Sequence, residues 1–143
     1  MRPRWIVCED GEEYLSRFRR FLGADFEFVA ASHLQDVLRL APGATGVVLD
    51  LDFRRSEPGQ LVDESGASRA RVPAGERTRL AEVQGILILR ALRTRGFALP
   101  ALLCADIDDP LRATRLLDDL RPLEIVPGSE GVMQIGARLR RHG

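Results

Sequence analysis

Trp5-Ile6-Val7-Cys8-Glu9-Asp10-Gly11-Glu12-Glu13-Tyr14-Leu15 is the stretch on which the fold of this chain turns. Four apolar residues run into an acidic pair, a length that suits a strand buried on both faces rather than a helix. The period then changes. Tyr14, Leu15, Phe18, Phe21 and Leu22 line one face of a helix over 12–22, and Gly23 closes it. The same unit recurs downstream. Phe26–Ala31 reads as a strand. Ser32 reads as the N-cap of a helix carrying Leu34, Val37, Leu38 and Ala41, stopped by Pro42-Gly43. Gly46–Leu49 is an apolar strand ending in Asp50-Leu51-Asp52. Thr78 caps a helix through Arg95, which Gly96 stops. Leu99–Cys104 is a fourth strand, and Asp109-Pro110 opens a helix to Leu120. Glu124–Val126 is a short fifth strand. Ser129 caps a last helix, whose Arg138, Arg140 and Arg141 suit its C-terminal dipole.

Strand and helix alternate five times, so the expected class is α/β, a parallel sheet between helix layers. Right-handed crossovers put every strand C-terminus on one edge, where such sheets carry their sites. Glu9, Asp10, Asp50, Asp52 and Asp106 all fall there. Residues 54–77 interrupt the rhythm with charges, Pro58, Gly59, Gly66, Pro73 and Gly75, and with no sustained period. This is a long polar insertion, of a length that is usually either functional or disordered. It starts beside the acidic residues and could cover them.

Composition narrows the chemistry. The chain has 143 residues, enough for one domain over 1–143. All 21 positive side chains are Arg, with no Lys and no Asn. A phosphate-binding P-loop and a Schiff-base enzyme both need a Lys, so both are excluded. The net charge is zero, and no global field favours nucleic acid or a membrane surface. No apolar run approaches the ~20 residues of a membrane span, and the first one is too short for a signal peptide. Cys8 and Cys104 sit in apolar runs and read as buried free thiols of a reducing cytoplasm. His33 and His142 are too far apart in sequence to suggest a His-based metal site. Arg17, Arg19, Arg20, Arg138, Arg140 and Arg141 read as solvated faces rather than a nucleic-acid site, because acid balances them. Clustered carboxylates repel one another and attract a hard cation such as Mg²⁺, beside which an Asp can accept a phosphoryl group.

Several segments together resemble a response-regulator receiver domain. They are Ile6-Val-Cys-Glu-Asp-Gly-Glu-Glu-Tyr-Leu15, Phe26-Glu-Phe-Val-Ala-Ala-Ser32, Val47-Val-Leu-Asp-Leu-Asp52, Gln84-Gly-Ile-Leu-Ile-Leu-Arg-Ala-Leu-Arg93 and Leu99-Pro-Ala-Leu-Leu-Cys-Ala-Asp106. The resemblance covers nearly the whole chain outside 54–77. It implies a doubly wound five-stranded parallel sheet of order 2-1-3-4-5. It further implies that Asp50 stands at the phosphoacceptor position and that Glu9 and Asp10, with Asp52 beside them, stand at the metal-binding positions. Forty residues separate Asp10 from Asp50, about the family's spacing.

Two departures bear on function. The family ends its fourth strand in Ser or Thr and its fifth in Lys followed by Pro; this chain has Ala105, and Val126 followed by Pro127. Without the hydroxyl and the cation, charge-assisted contacts of ~1.5–3 kcal/mol each are lost to a phosphoryl group. Arg54 or Arg55 could fold back as a substitute cation. The second departure is the insertion, which stretches the Asp50–Gly85 separation to 35 residues. The expectation is a degenerate receiver of bacterial signalling: a cytoplasmic, non-enzymatic protein-interaction module that needs no cofactor and retains at most a weak, vestigial Mg²⁺ affinity. By the same resemblance its output face includes Arg112, Arg115, Asp118 and Asp119, which could take a protein partner or a second copy of the chain. The alternative is a Toprim-like Mg²⁺-dependent nuclease or primase, with Glu9 as general acid/base and Asp50 and Asp52 holding the metal. Asp50-Leu-Asp52 also resembles the haloacid-dehalogenase phosphatases, a third reading weakened by the missing Lys.

Overall fold

The strand segments pair as a single parallel sheet in the computed structural model, which describes residues 1–68 and 71–142. Its strands are β1 (Arg4–Cys8), β2 (Glu27–Ala31), β3 (Gly46–Asp50), β4 (Ala101–Cys104) and β5 (Leu123–Val126), in the order β2-β1-β3-β4-β5. The expected topology is therefore the observed one. The helices are α1 (Glu13–Leu22), α2 (Leu34–Leu40), α3 (Ala74–Glu82), α4 (Gln84–Thr94), α5 (Pro110–Asp119) and α6 (Val132–Arg140). Arg69 and Ala70 of the insertion lie outside the described residues.

Alternation along the strands sends side chains into two cores. Trp5, Val7, Val48 and Leu102 pack with Leu15, Phe18 and Leu22 of α1 and Ile135 and Leu139 of α6. Ile6, Cys8, Val47, Leu49 and Leu103 pack on the other face, with residues of α2 through α5. Cys8 and Cys104 are buried, free, and divided between the two faces. Desolvation pushes both thiols up, that of Cys104 to about 12.

The element starts follow local chemistry, with three corrections. Asp109 caps α5 as expected, accepting from Leu111 N at 3.0 Å, with Pro110 at the first position. At α2, however, the N-cap is His33; Ser32 lies one residue earlier, where Asp36 accepts from its N–H and its hydroxyl. At α6 the N-cap is Gly131 rather than Ser129, and Gln134 Oε1 accepts from Gly131 N. The helix expected from Thr78 to Arg95 is two helices, beginning at Ala74 and broken at Val83.

The break has a hydrogen-bond explanation. In an unbroken helix Ala81 O would accept from Gly85 N. Instead Phe53 N donates to Ala81 O (2.8 Å), and Gly85 N donates to Leu51 O (3.0 Å). The segment leaving β3 has inserted itself into the ladder and satisfied both halves of the broken pair. Gly85 is what allows that approach, since a Cβ there would collide with the carbonyl oxygen of Asp50.

The insertion, which the sequence left open between functional and disordered, is anchored at several of its described residues. Phe53, Leu61 and Val62 are buried in the core shared with α3 and α4. Gln84, buried, reaches across as a clamp: Val62 N donates to its Oε1 (2.8 Å), while its Nε2 donates to Val62 O (3.1 Å) and Leu80 O (3.2 Å). A short antiparallel bridge joins Val62 to Ser68.

Candidate functional site at the acidic sheet edge

Strand register brings the predicted residues together. Cys8 is level with Leu49, so Glu9 and Asp50 leave neighbouring strands side by side. Asp50 in turn is level with Cys104, and Cys104 with Val126. The edge is thus acidic over β1 and β3 and apolar over β4 and β5. Ala105 and Val126, the two positions singled out for a missing hydroxyl and cation, are both buried, and Ala105 N donates to Val126 O. Pro127 is exposed beyond them.

Each carboxylate has a different set of partners. Glu9 is buried and turned into the start of α1, accepting from Tyr14 N (3.1 Å) and Leu15 N (2.9 Å). It does the work of a cap where Glu12, at the N-cap, makes no side-chain bond. Burial raises its pKa, the two amides oppose that, and Glu13 and Asp10 add repulsion. Asp50 accepts from its neighbour Leu51 N (2.9 Å). Burial, followed by repulsion from Asp10, Glu9 and Asp52, lifts it to about 6, against the pull of the Leu51 amide.

The cations come from the insertion. Asp52 accepts from Arg54 N (2.9 Å) and from the Arg54 guanidinium, which holds its carboxyl below the usual range. Asp10, its side chain 3% exposed, accepts from Arg55 N (2.9 Å) at Oδ2 and from Arg55 Nη2 (3.0 Å) at Oδ1. The same guanidinium reaches Glu13 at 2.7 and 3.1 Å and holds that carboxyl down at about 2. Arg55 therefore folds back onto the acidic edge, and Arg54 turns to Asp52. The sequence signal for this was two arginines two residues beyond a carboxylate cluster that wants a cation.

The remaining candidates do not join this carboxylate–arginine cluster. Asp106 is exposed and bonds Gly128 N (3.0 Å), tying together the loops after β4 and β5. Arg112, Arg115, Asp118 and Asp119 are exposed on α5, away from the acidic residues in sequence and on a separate element. Among the described residues none of the four has an ion-pair partner. The two arginine clusters are largely neutralised or capped locally. Arg138 pairs with Glu130 and Glu124, Arg140 with Asp25, and Arg141 with Glu124, while Arg19 donates to Phe28 O. Arg17 and Arg20 lie over Tyr14 and Phe21. Among the described residues no helix is long and apolar enough to cross a membrane.

No family model and no curated protein matches the chain by sequence. Solved structures do match. The BeF3-activated N-terminal receiver domain of Klebsiella pneumoniae RstA is 17% identical with a TM-score of 0.62, covering 97% of each chain. A response regulator receiver domain protein from Clostridium thermocellum is 13% identical with a TM-score of 0.63, covering 98% of this chain and 93% of that one. An adenylate cyclase from Rhodopirellula baltica is 14% identical with a TM-score of 0.62, over 99% of this chain and 87% of that one. The chain has the receiver-domain fold. The Toprim reading finds no support: the fold matched is that of receiver domains, and Asp52, one of its metal ligands, is bound by Arg54.

Proposed function

We propose that this chain is a degenerate receiver: a non-catalytic protein-interaction module, of bacterial signalling, whose state does not depend on phosphorylation of Asp50. The observation that carries this reading is the apolar half of the edge. A phosphoryl group on Asp50 would look across β4 and β5 for a hydroxyl and a cation, and would meet buried Ala105 and Val126. Neither can donate a hydrogen bond, and the chain contains no Lys to substitute. The raised pKa of Asp50 agrees, since burial and then repulsion from Asp10, Glu9 and Asp52 already disfavour negative charge at that carboxylate.

The partner surface in this reading is α5 with the open side of β5. α5 exposes Leu111 and Leu117 together with unpaired Arg112, Arg115, Asp118 and Asp119, a mixture of apolar anchors and free charges that suits a protein rather than a polyanion. Its cationic residues precede its anionic ones, so a second copy packed antiparallel is one partner it could take.

Acetyl phosphate or beryllofluoride with Mg²⁺ tests the proposal. The expected result is no mass shift and no change in Trp5 fluorescence. A stable adduct that Asp50→Ala abolishes would overturn it.

A further inference from the structure

The receiver resemblance implies a divalent metal at Glu9 and Asp10, and the residues present do not fit one. Mg²⁺ demands near-ideal octahedral oxygen ligation at about 2.0–2.1 Å, from carboxylate oxygens free to turn toward it. Both oxygens of Glu9 are committed to the amides of Tyr14 and Leu15. Both oxygens of Asp10 are committed to Arg55, one to its backbone N–H and one to its guanidinium. Asp52 is committed to Arg54, and one oxygen of Asp50 to Leu51 N. Among the described residues no three His, Cys, Asp or Glu side chains converge in a way that would hold a metal ion.

We infer that Arg55 is the resident cation of this edge, a covalently tethered replacement for the metal, and that it and a divalent ion exclude each other at Asp10. Three features support the assignment. First, the contact is two-point: a backbone N–H and a guanidinium from the same residue meet the two oxygens of one almost fully buried carboxylate, so chain path and side chain are placed together. Second, the fork also takes Glu13, on the first turn of α1, joining two carboxylates as a bridging ion would. Third, Gly11 leaves the room. A Cβ there would come within 2.5 Å of Arg55 Nη2, so the guanidinium lies across backbone that carries no side chain.

The consequence is mechanical as well as electrostatic. A diffusible ion leaves the insertion free, whereas Arg55 fastens its first residues to β1 and α1. Displacing Arg55 would free that residue from Asp10 and Glu13, while Arg54 on Asp52, Ser56 N on Phe53 O, and Phe53, Leu61, Val62 and Gln84 still hold the rest.

Mn²⁺ titration of the full chain, followed by calorimetry and by the paramagnetic signal of free ion, tests this. Wild type is expected to show no saturable binding at millimolar Mn²⁺, and Arg55→Ala to gain it, tightening by about tenfold or more. Gly11→Ala is the second variant: it crowds the guanidinium without removing a charge, and should shift binding in the same direction by less. Arg55 is largely exposed, so Arg55→Ala should fold, and circular dichroism checks that it does. Equal Mn²⁺ binding by wild type and Arg55→Ala overturns the inference. So does an absence of binding in all three, since Arg55 is then not what keeps the metal out. The titration contains no phosphoryl donor, so metal binding by wild type overturns this inference while the reading of Asp50 still stands on its own experiment.

Discussion

The insertion and α5 invert the usual link between regularity and burial. Residues 54–77 look like solvent-borne loop: polar, broken by Pro and Gly, without a period. Yet the segment is held by Leu61 and Val62 in the core, by the Gln84 clamp, by Phe53 N on Ala81 O, and by Arg55 on Asp10. α5 looks like a model helix, with an Asp cap, Pro at its first position and a clear apolar face. Among its described residues Leu116 alone is buried, joined by Leu120 just past its end, while Leu111 is 58% exposed. What holds that corner is Arg93, whose guanidinium donates to Leu120 O, Phe97 O and Pro122 O. Regular hydrogen bonding makes an element. Only contacts with other elements make it part of the core.

If that contrast is right, the irregular segment should be the sensitive one. Among single substitutions Phe53→Ala should cost most, about 3–5 kcal/mol in chemical denaturation, because it empties a fully buried aromatic site between the insertion and α3. Deleting 54–77 outright would remove Leu61, Val62 and the first turn of α3 together, so a loss of folding is expected rather than a clean loss of one surface. Gln84→Ala should cost about 2–3 kcal/mol, since the N–H and C=O of Val62 and the C=O of Leu80 all lose their partner. Amide exchange should then speed up around Val62 and stay unchanged in β1 and β3. A loss under 0.5 kcal/mol would mean that the clamp is incidental.

Asp50→Asn should act with the opposite sign. The folded pKa of about 6 lies above the ~3.9 of an unfolded Asp, so the group's favourable contribution is complete below pH ~4 and is lost as pH rises through 6. The Asn variant should match wild type near pH 4 and exceed it above pH ~7. Solvent at the partly open edge limits the gain to about 1 kcal/mol, or roughly 2–4 °C in Tm. A variant less stable than wild type at pH 8 would contradict the repulsion described for this edge. Smallest of all should be Leu111→Ser with Leu117→Ser on α5, within about 0.5 kcal/mol in stability. The same pair should abolish partner binding if α5 is the docking face. Binding that survives the double variant would move the interface elsewhere.

The site was partly legible in sequence. Glu9, Asp10 and Asp50 were placed on one edge by strand–helix alternation alone, because parallel crossovers leave the chain no other side for strand C-termini. The helix break at Val83 was not legible. Leu80, Val83, Ile86 and Leu87 keep helical spacing straight through it, and Gly85 was the one residue that hinted at a close backbone approach. Gln84 was likewise invisible as a clamp, since a polar residue in a helical run reads as surface until its partner is known. Asp52 sits in the sequence as one of a pair with Asp50, but Arg54 separates their roles.

By itself the sequence determined the layered α/β architecture, the acidic edge and the absence of any Lys to serve that edge. These are properties of period and residue type, which need no knowledge of distant partners. The tertiary structure decided which cation answers the acid. Arg54 and Arg55 are adjacent and chemically identical, and Arg55 stands 45 positions after Asp10. Only the path of the chain out of β3, fixed by Phe53 at the α3–α4 break, sends one of them to Asp52 and the other across to Asp10.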